Sequence, residues 1–199
     1  MAKELSNIDG KKRCWWCGDD PEYMAYHDTE WGVPLYDDQK LFELLILEGA
    51  QSGLSWITIL RKREGYRRAF DQFDPEKIAT YDEVKIAELL DNPEIVRNKL
   101  KVNATVTNAK SYLAMLVEGE SFSEFLWKFV DGKPQQNAFE TAADIPAFTP
   151  ASEAMSKALK KRGFKFVGPT VCYAFMQSAG LVNDHMVDCY RYKECQKAE

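Results

Sequence analysis

A chain of 199 residues is long enough to bury one substantial core, and its balance of 45% apolar and 29% charged residues excludes a solvated, disordered tail. No apolar run reaches the length of a membrane span, the first thirteen residues are polar and lysine-rich rather than a secretory leader, and five cysteines are an odd number in a chain too large to need stapling. These features argue against a membrane span and a disulfide framework, and they predict a cytoplasmic protein with reduced thiols. A formal net charge of −5 argues against nucleic acid on average, but the average hides two clusters. Arg61, Lys62, Arg63, Arg67 and Arg68 form one; Lys157, Lys160, Lys161, Arg162 and Lys165 form the other. A duplex responds to local positive potential, although each cluster also fits a solvated helix face.

In chain order, helical signals run nearly throughout. Leu41, Leu44 and Leu45 open a long helical region that continues through Leu54 to Leu60. Its apolar stripe of 41, 44, 45 and 48 puts Glu48 where a leucine is expected. Asp74-Pro75 and Asn92-Pro93 each place a capping side chain ahead of a proline at a first helical position. Ile95, Val96, Val106, Ala109, Tyr112, Leu113 and Leu116 mark a further helical region. Ser121 with Glu124 makes a capping-box pattern before Phe122, Phe125, Leu126 and Phe129. Asp131 to Pro150, rich in Pro, Gln, Asn and Thr, reads as the one long loop. Thr149-Pro150 starts a helix ending near Gly163, a short glycine-bounded turn follows, and another helix begins at Pro169. No alternating strand pattern or internal repeat is present, so the predicted fold class is all-α.

Four constellations could carry chemistry. The chain has only two histidines: His185 precedes Cys189 at an i, i+4 spacing suited to one helical face, and His27 lies thirteen residues after Cys14. Two thiolates and two imidazoles are a complete tetrahedral set for zinc. The gap between the pairs is far too long for a zinc finger, and a metal there would join the two ends of the chain. Spacing alone leaves open two buried, hydrogen-bonded histidines with unrelated cysteines. Cys17 and Cys195 are rival ligands, since Cys14-Trp-Trp-Cys17 has the look of a zinc knuckle. Glu48 on the core side of its helix is costly unless paired, for instance with an arginine, or reserved for a ligand. Trp16, Tyr23, Tyr26, Trp31 and Trp56 are either core or the flat faces that a purine site needs. The Gly163 to Gly168 turn offers backbone amides to a DNA phosphate, with Lys165 adding charge, although many helical hairpins have glycine in the turn.

Taken together and in this order, these features resemble the DNA-3-methyladenine glycosylase I family of the helix-hairpin-helix glycosylases. The resemblance is carried by Asp20-Pro21 with Tyr23-Met-Ala-Tyr-His-Asp-Thr-Glu-Trp-Gly32, and by Leu47-Glu-Gly-Ala-Gln-Ser-Gly-Leu-Ser-Trp-Ile57. Near the C-terminus it rests on Lys157-Ala-Leu-Lys-Lys-Arg-Gly-Phe-Lys-Phe-Val-Gly168 and Gly180-Leu-Val-Asn-Asp-His185. It covers residues 13–190 as a glycosylase domain, with 1–12 a poorly ordered extension and 191–199 a tail. It implies a compact helical domain with a helix-hairpin-helix element and one structural zinc on Cys14, His27, His185 and Cys189, joining the N- and C-terminal segments. It implies Glu48 and Tyr26 as catalytic, and Trp56, Trp16, Tyr23 and Trp31 as base-binding. Gly163, Lys165 and Gly168 would meet DNA backbone, and Gly53-Leu54 would be a wedge filling the vacated stack.

The implied partner is double-stranded DNA containing alkylated adenine, with free 3-methyladenine as product and neither a membrane nor an obligate protein partner. Many of the wider superfamily carry a catalytic aspartate in a Val-Asp-Thr-His string. Here the string is Val182-Asn183-Asp184-His185, so that aspartate reads as absent unless a one-residue shift brings in Asp184. No lysine is placed to form a Schiff base, which predicts a monofunctional enzyme. Trp56 and Tyr26 are expected to sandwich the base while Glu48 accepts from its edge. Rival readings are a hydrolase with catalytic zinc and a non-catalytic lesion-binding protein of the same fold.

Overall fold

The computed structural model describes residues 9–197. Ten α-helices are found among them: α1 Pro21–Thr29, α2 Asp38–Gln51, α3 Trp56–Ala69, α4 Pro75–Ile78, α5 Glu83–Asp91, α6 Lys99–Val117, α7 Phe122–Trp127, α8 Pro150–Lys161, α9 Pro169–Ser178 and α10 Tyr190–Cys195. Their starts are written locally. Asp20, Asp37, Asp74, Asp82, Asn98, Ser121 and Thr149 each accept from backbone N–H groups of the first turn, and Pro21, Pro75, Pro150 and Pro169 sit where a helix has no use for an N–H. No helix among the described residues is long and apolar enough to cross a membrane.

α2 is the hub. Its Leu41, Phe42, Leu45 and Leu47 are buried, and α3, α6, α7 and α9 pack around it. Asp38 in its first turn also reaches α7, accepting from Ser121 Oγ and from the backbone N–H groups of Phe122 and Ser123 at 2.7–3.1 Å. α8 and α9 pack against each other, joined by the turn 162–168, which sits against Gly49 of α2. At Gly180 the chain passes so close to Val33 that a Cβ would lie 2.4 Å from the Val33 carbonyl carbon, and φ is +69°, so only glycine fits.

Three expectations are corrected. The helical region from Leu41 to Leu60 is two helices, broken at Ser52–Ser55, where Gly53 takes φ +81° and so leaves the right-handed helix. Asn92-Pro93 opens no helix. Asn92 terminates α5 and its side chain accepts from Glu94 N–H, while Asn98 caps the next helix, so Ile95 and Val96 lie in the connection. Strand is not wholly absent: β1 Gln135–Gln136 pairs in parallel with β2 Val182–Asn183, too short for any alternation to register.

Candidate base cavity and metal centre

Cys14, His27, His185 and Cys189 come together, each at most 3% exposed, with ligand atoms all within 4.8 Å of one another. Cys14 Sγ lies 3.5 Å from His185 Nδ1, and Cys189 Sγ lies 3.4 Å from His27 Nε2 and 3.6 Å from His185 Nδ1. Bonds of about 2.0–2.3 Å to a central tetrahedral ion put neighbouring S and N ligands about 3.5 Å apart, so the four residues fit a metal. The outer ring nitrogens are also engaged: His27 Nδ1 is 2.8 Å from Asp28 Oδ1, and His185 Nε2 is 3.0 Å from the Trp31 carbonyl. Arg13 holds Asp28 in turn. Such partners fix ring orientation in a ligand shell.

The pair of the cluster nearer the C-terminus is not on a helical face. His185 and Cys189 occupy a turn between β2 and α10, closed by Cys189 N–H donating to the Met186 carbonyl at 2.8 Å. Cys17 and Cys195 stay outside the cluster. Cys17 donates its thiol to the Cys14 carbonyl, and Cys195 is buried in α10.

Beside the cluster lies a cavity of about 220 Å³ whose lining includes Trp16, Tyr23, Tyr26, Trp31, Glu48 and Trp56. α1 presents Tyr23 and Tyr26 three residues apart on one face, α2 contributes Glu48 near its end, and Trp56 opens α3. Glu48 has no arginine. It is 2% exposed, its Oε1 accepts from Ser178 Oγ at 2.6 Å, and its Oε2 has no partner. Burial pushes its carboxyl up to about 8, only partly offset by the Ser178 hydroxyl. Trp16 Nε1, Tyr26 Oη and Trp56 Nε1 are likewise buried without a protein partner. Of five such side-chain atoms among the described residues, four belong to this one cavity, whereas buried polar groups are ordinarily satisfied. The arrangement suits a flat ligand rich in hydrogen-bonding edges.

Tyr26 and Trp56 do not form the two slices of a sandwich. Their ring centroids are 5.5 Å apart with a 43° tilt, whereas a ring held between two others needs about 3.5 Å on each side. They pack on each other and make a single wall. Trp16 in turn packs on Tyr23 at 4.9 Å and on Trp31 at 5.0 Å.

Gly53 and Leu54 occupy the exposed turn leading to Trp56, and Leu54 is 42% exposed. The 162–168 turn is clamped by Asn108 of α6, which accepts from Lys165 N–H at 2.7 Å and donates to the Lys165 carbonyl at 3.1 Å. Lys160, Lys161 and Lys165 are exposed and have no carboxylate partner among the described residues, while Lys157 meets Glu153 and Arg162 meets Glu118 and Glu120. The first basic cluster is a neutralised face. Arg61 pairs with Asp20, Arg63 with Glu30, Arg67 with Glu43 and Glu64, Arg68 with Glu94, and Lys62 donates to the Pro93 carbonyl. Asp184 is buried and accepts from Asn137, Tyr173 and Gln177, and Asn183 donates to Gln136 and to the Tyr192 carbonyl. Neither residue is part of the cavity lining, although Gln177, which donates to Asp184, is.

Residues 16–192 match the family model described as methyladenine glycosylase. The chain belongs to the methyladenine glycosylase family. DNA-3-methyladenine glycosylase 1 of Escherichia coli (strain K12) is 54% identical over 181 residues, spanning 91% of this chain and 97% of that protein. The DNA-3-methyladenine glycosylase of Haemophilus influenzae is 55% identical over 177 residues, 89% of this chain and 96% of its own. A crystal structure of 3-methyladenine DNA glycosylase I superposes with a TM-score of 0.89 at 56% identity, covering 90% of this chain and 98% of that one. A tyrosine-to-phenylalanine variant of such an enzyme, solved in complex with 3-methyladenine, superposes with a TM-score of 0.84 at 44% identity, covering 86% and 92%. The all-α expectation and the resemblance both hold.

For this methyladenine glycosylase, sequence reasoning missed Ser178 and Gln177 at the end of α9, along with Trp15, Gln51, Ile145 and Ala174 in the cavity lining. It also missed Asn108, a buried polar residue among Val102, Thr105 and Ala109 on the packed face of α6. The signal that flagged Glu48, a polar residue on an apolar stripe, was present there too.

Proposed function

We propose that this chain is a DNA base-excision repair glycosylase that takes a flipped-out 3-methyladenine nucleotide into the aromatic cavity and hydrolyses its N-glycosidic bond, without a lyase step. One observation carries the reading: a buried carboxylate with no counter-ion and three further unpartnered polar atoms converge on one aromatic-walled cavity. A methylated purine offers the flat face and polar edge that such a cavity lacks. The relatives, which are named as 3-methyladenine glycosylases, point the same way.

Methylation at N3 leaves adenine electron-poor, so the base is already a good leaving group and the protein need supply little push. Its work is to extrude the nucleotide, stack the ring against the Tyr26–Trp56 wall and stabilise positive charge on the base. At neutral pH the unliganded Glu48 holds its proton. A base bearing positive charge favours the carboxylate, and the proton passes to solvent. The Tyr26 hydroxyl, raised well above its usual range by burial and then by Glu48, stays neutral and serves as a donor. Water attacks C1′ as the bond opens. No lysine lines the cavity to form a Schiff base, and Asp184 is committed to its three donors.

Two thiolates and two imidazoles at these separations suit zinc, which would tie the segment around Cys14 to that around Cys189. All four positions are then filled by protein, which disfavours a catalytic metal hydrolase. The α8–turn–α9 unit reads as the helix-hairpin-helix, with the Lys165 side chain and the amides of Phe166, Val167 and Gly168 toward DNA backbone, since those of Gly163, Phe164 and Lys165 already donate to Lys160, Leu159 and Asn108, and with Gly53-Leu54 as the wedge. A cytoplasmic setting fits five cysteines that are all free and buried.

The test is single-turnover release of free base from alkylated duplex. Wild type should release 3-methyladenine. Glu48→Gln should do so about 10- to 100-fold more slowly, the loss of one charge-assisted hydrogen bond, while keeping its fold and its affinity for undamaged DNA. A wild-type protein that binds alkylated duplex but releases no base would reverse the assignment in favour of a lesion-binding protein.

A further inference from the structure

Trp15 stands out from every other aromatic residue of the cavity. It lines the same space as Glu48 and Trp56, yet 53% of it remains exposed. Its neighbour Trp16 packs on Tyr23, Tyr26, His27 and Trp31, whereas Trp15 has no aromatic partner among the described residues. The residue is nonetheless held firmly. It opens the 3₁₀ turn Trp15–Cys17 directly after the ligand Cys14, and both the N–H and the thiol of Cys17 donate to the Cys14 carbonyl, at 3.4 and 3.2 Å. Exposed beside an aromatic cavity, the indole keeps much of its surface free for a ligand.

The cavity has a matching need. Tyr26 and Trp56 touch, so together they cover one face of a bound ring and leave the other uncovered. Trp16 packs tilted against Tyr23 and edge-on against Trp31, and none of the three is exposed. Among the aromatic residues of the lining, Trp15 alone is exposed.

We propose that Trp15 is the outer stacking surface of the cavity, closing over the exposed face of the seated 3-methyladenine. This rests on the functional reading above and adds a substrate-binding residue to it. The occupant is the base rather than the flanking DNA, because the indole lines the same cavity as Glu48 and Trp56. A flat, electron-poor purine gains most from such a contact.

The experiment titrates free 3-methyladenine, without DNA, into wild type, Trp15→Ala, Trp15→Leu and Trp15→Phe by calorimetry, with binding of undamaged duplex measured in parallel. Trp15→Ala should weaken the free base about five- to 150-fold, the range of one base–aromatic stack. Trp15→Leu should resemble the alanine variant, since apolar area is kept and the π face is not, and Trp15→Phe should retain most of the affinity. Metal content and melting temperature report folding, and Trp15→Leu and Trp15→Phe carry the comparison if the alanine variant is unsound. Equal affinity for the base in all four proteins overturns the proposal. A loss confined to duplex binding also overturns it, by moving Trp15 onto the flanking strand. If wild type itself ignores 3-methyladenine, the functional reading fails first and this inference with it.

Discussion

The metal cluster and the base cavity are neighbours built to opposite rules. The cluster is closed: both thiols, both imidazoles and their outer nitrogens all have partners within the protein. The cavity is open-ended, holding a carboxylate oxygen, two indole N–H groups and a phenol that find none. They share walls, since Trp16 packs on His27 at 5.3 Å and Trp31 on His185 at 4.7 Å. The contrast teaches that unsatisfied polarity is tolerated here because the satisfied cluster next door holds the aromatic walls in place. Stability is concentrated on one side so that binding capacity can be kept on the other.

The comparison breaks most visibly if the closed side is opened. Chelation, or Cys189→Ala, should cost about 3–5 kcal/mol, comparable with losing a cross-link over a very long loop, or roughly 10 °C of melting temperature. Metal analysis should find one tetrahedral zinc per chain. A chelated protein that melts where the loaded one does would mean that the cluster carries no such load.

The next largest effect sharpens the open side. Burial raises the Glu48 carboxyl from 4.5 to about 8, so the folded state holds that proton more tightly than the unfolded chain. Stability from this source is complete below about pH 4.5 and is lost as pH rises through 8. Glu48→Gln does not titrate and can keep its acceptor toward Ser178. Its stability relative to wild type should therefore improve by about 2–3 kcal/mol between pH 6 and pH 9, read from denaturant midpoints at each pH. Parallel pH profiles for the two proteins would reveal a solvated or paired carboxylate and remove the cavity's claim to be open.

The smallest effect lies outside both regions. Lys165→Ala should weaken binding to damaged and undamaged duplex alike, and reduce the salt dependence by about one unit of slope at most. A loss seen only with damaged DNA would draw Lys165 into the cavity's account.

What could be read from the sequence was local or chemical. Helix starts were legible because Asp74-Pro75, Ser121 and Thr149-Pro150 satisfy their own first turns. Glu48 was legible as a carboxylate on an apolar stripe, and the four ligands as a donor set. Their geometry was not: a turn rather than a helix presents His185 and Cys189, because the i, i+4 spacing fits both. The partner of Glu48 lies 130 residues away at Ser178, and no periodicity links positions that distant. The break at Gly53 was obscured by apolar residues continuing on either side of it.

The distance along the chain between the two halves of the metal site also has a consequence in time. A ribosome adding roughly 5–20 residues per second needs roughly 8–30 s to travel from His27 to His185. Throughout that interval Cys14 and His27 are half of a site, and α2 to α9 must find their packing without it. An ion bound there would therefore act as a latch on a nearly finished fold rather than as a nucleus for it. Metal supply would then set the lifetime of the native state more than the speed of reaching it.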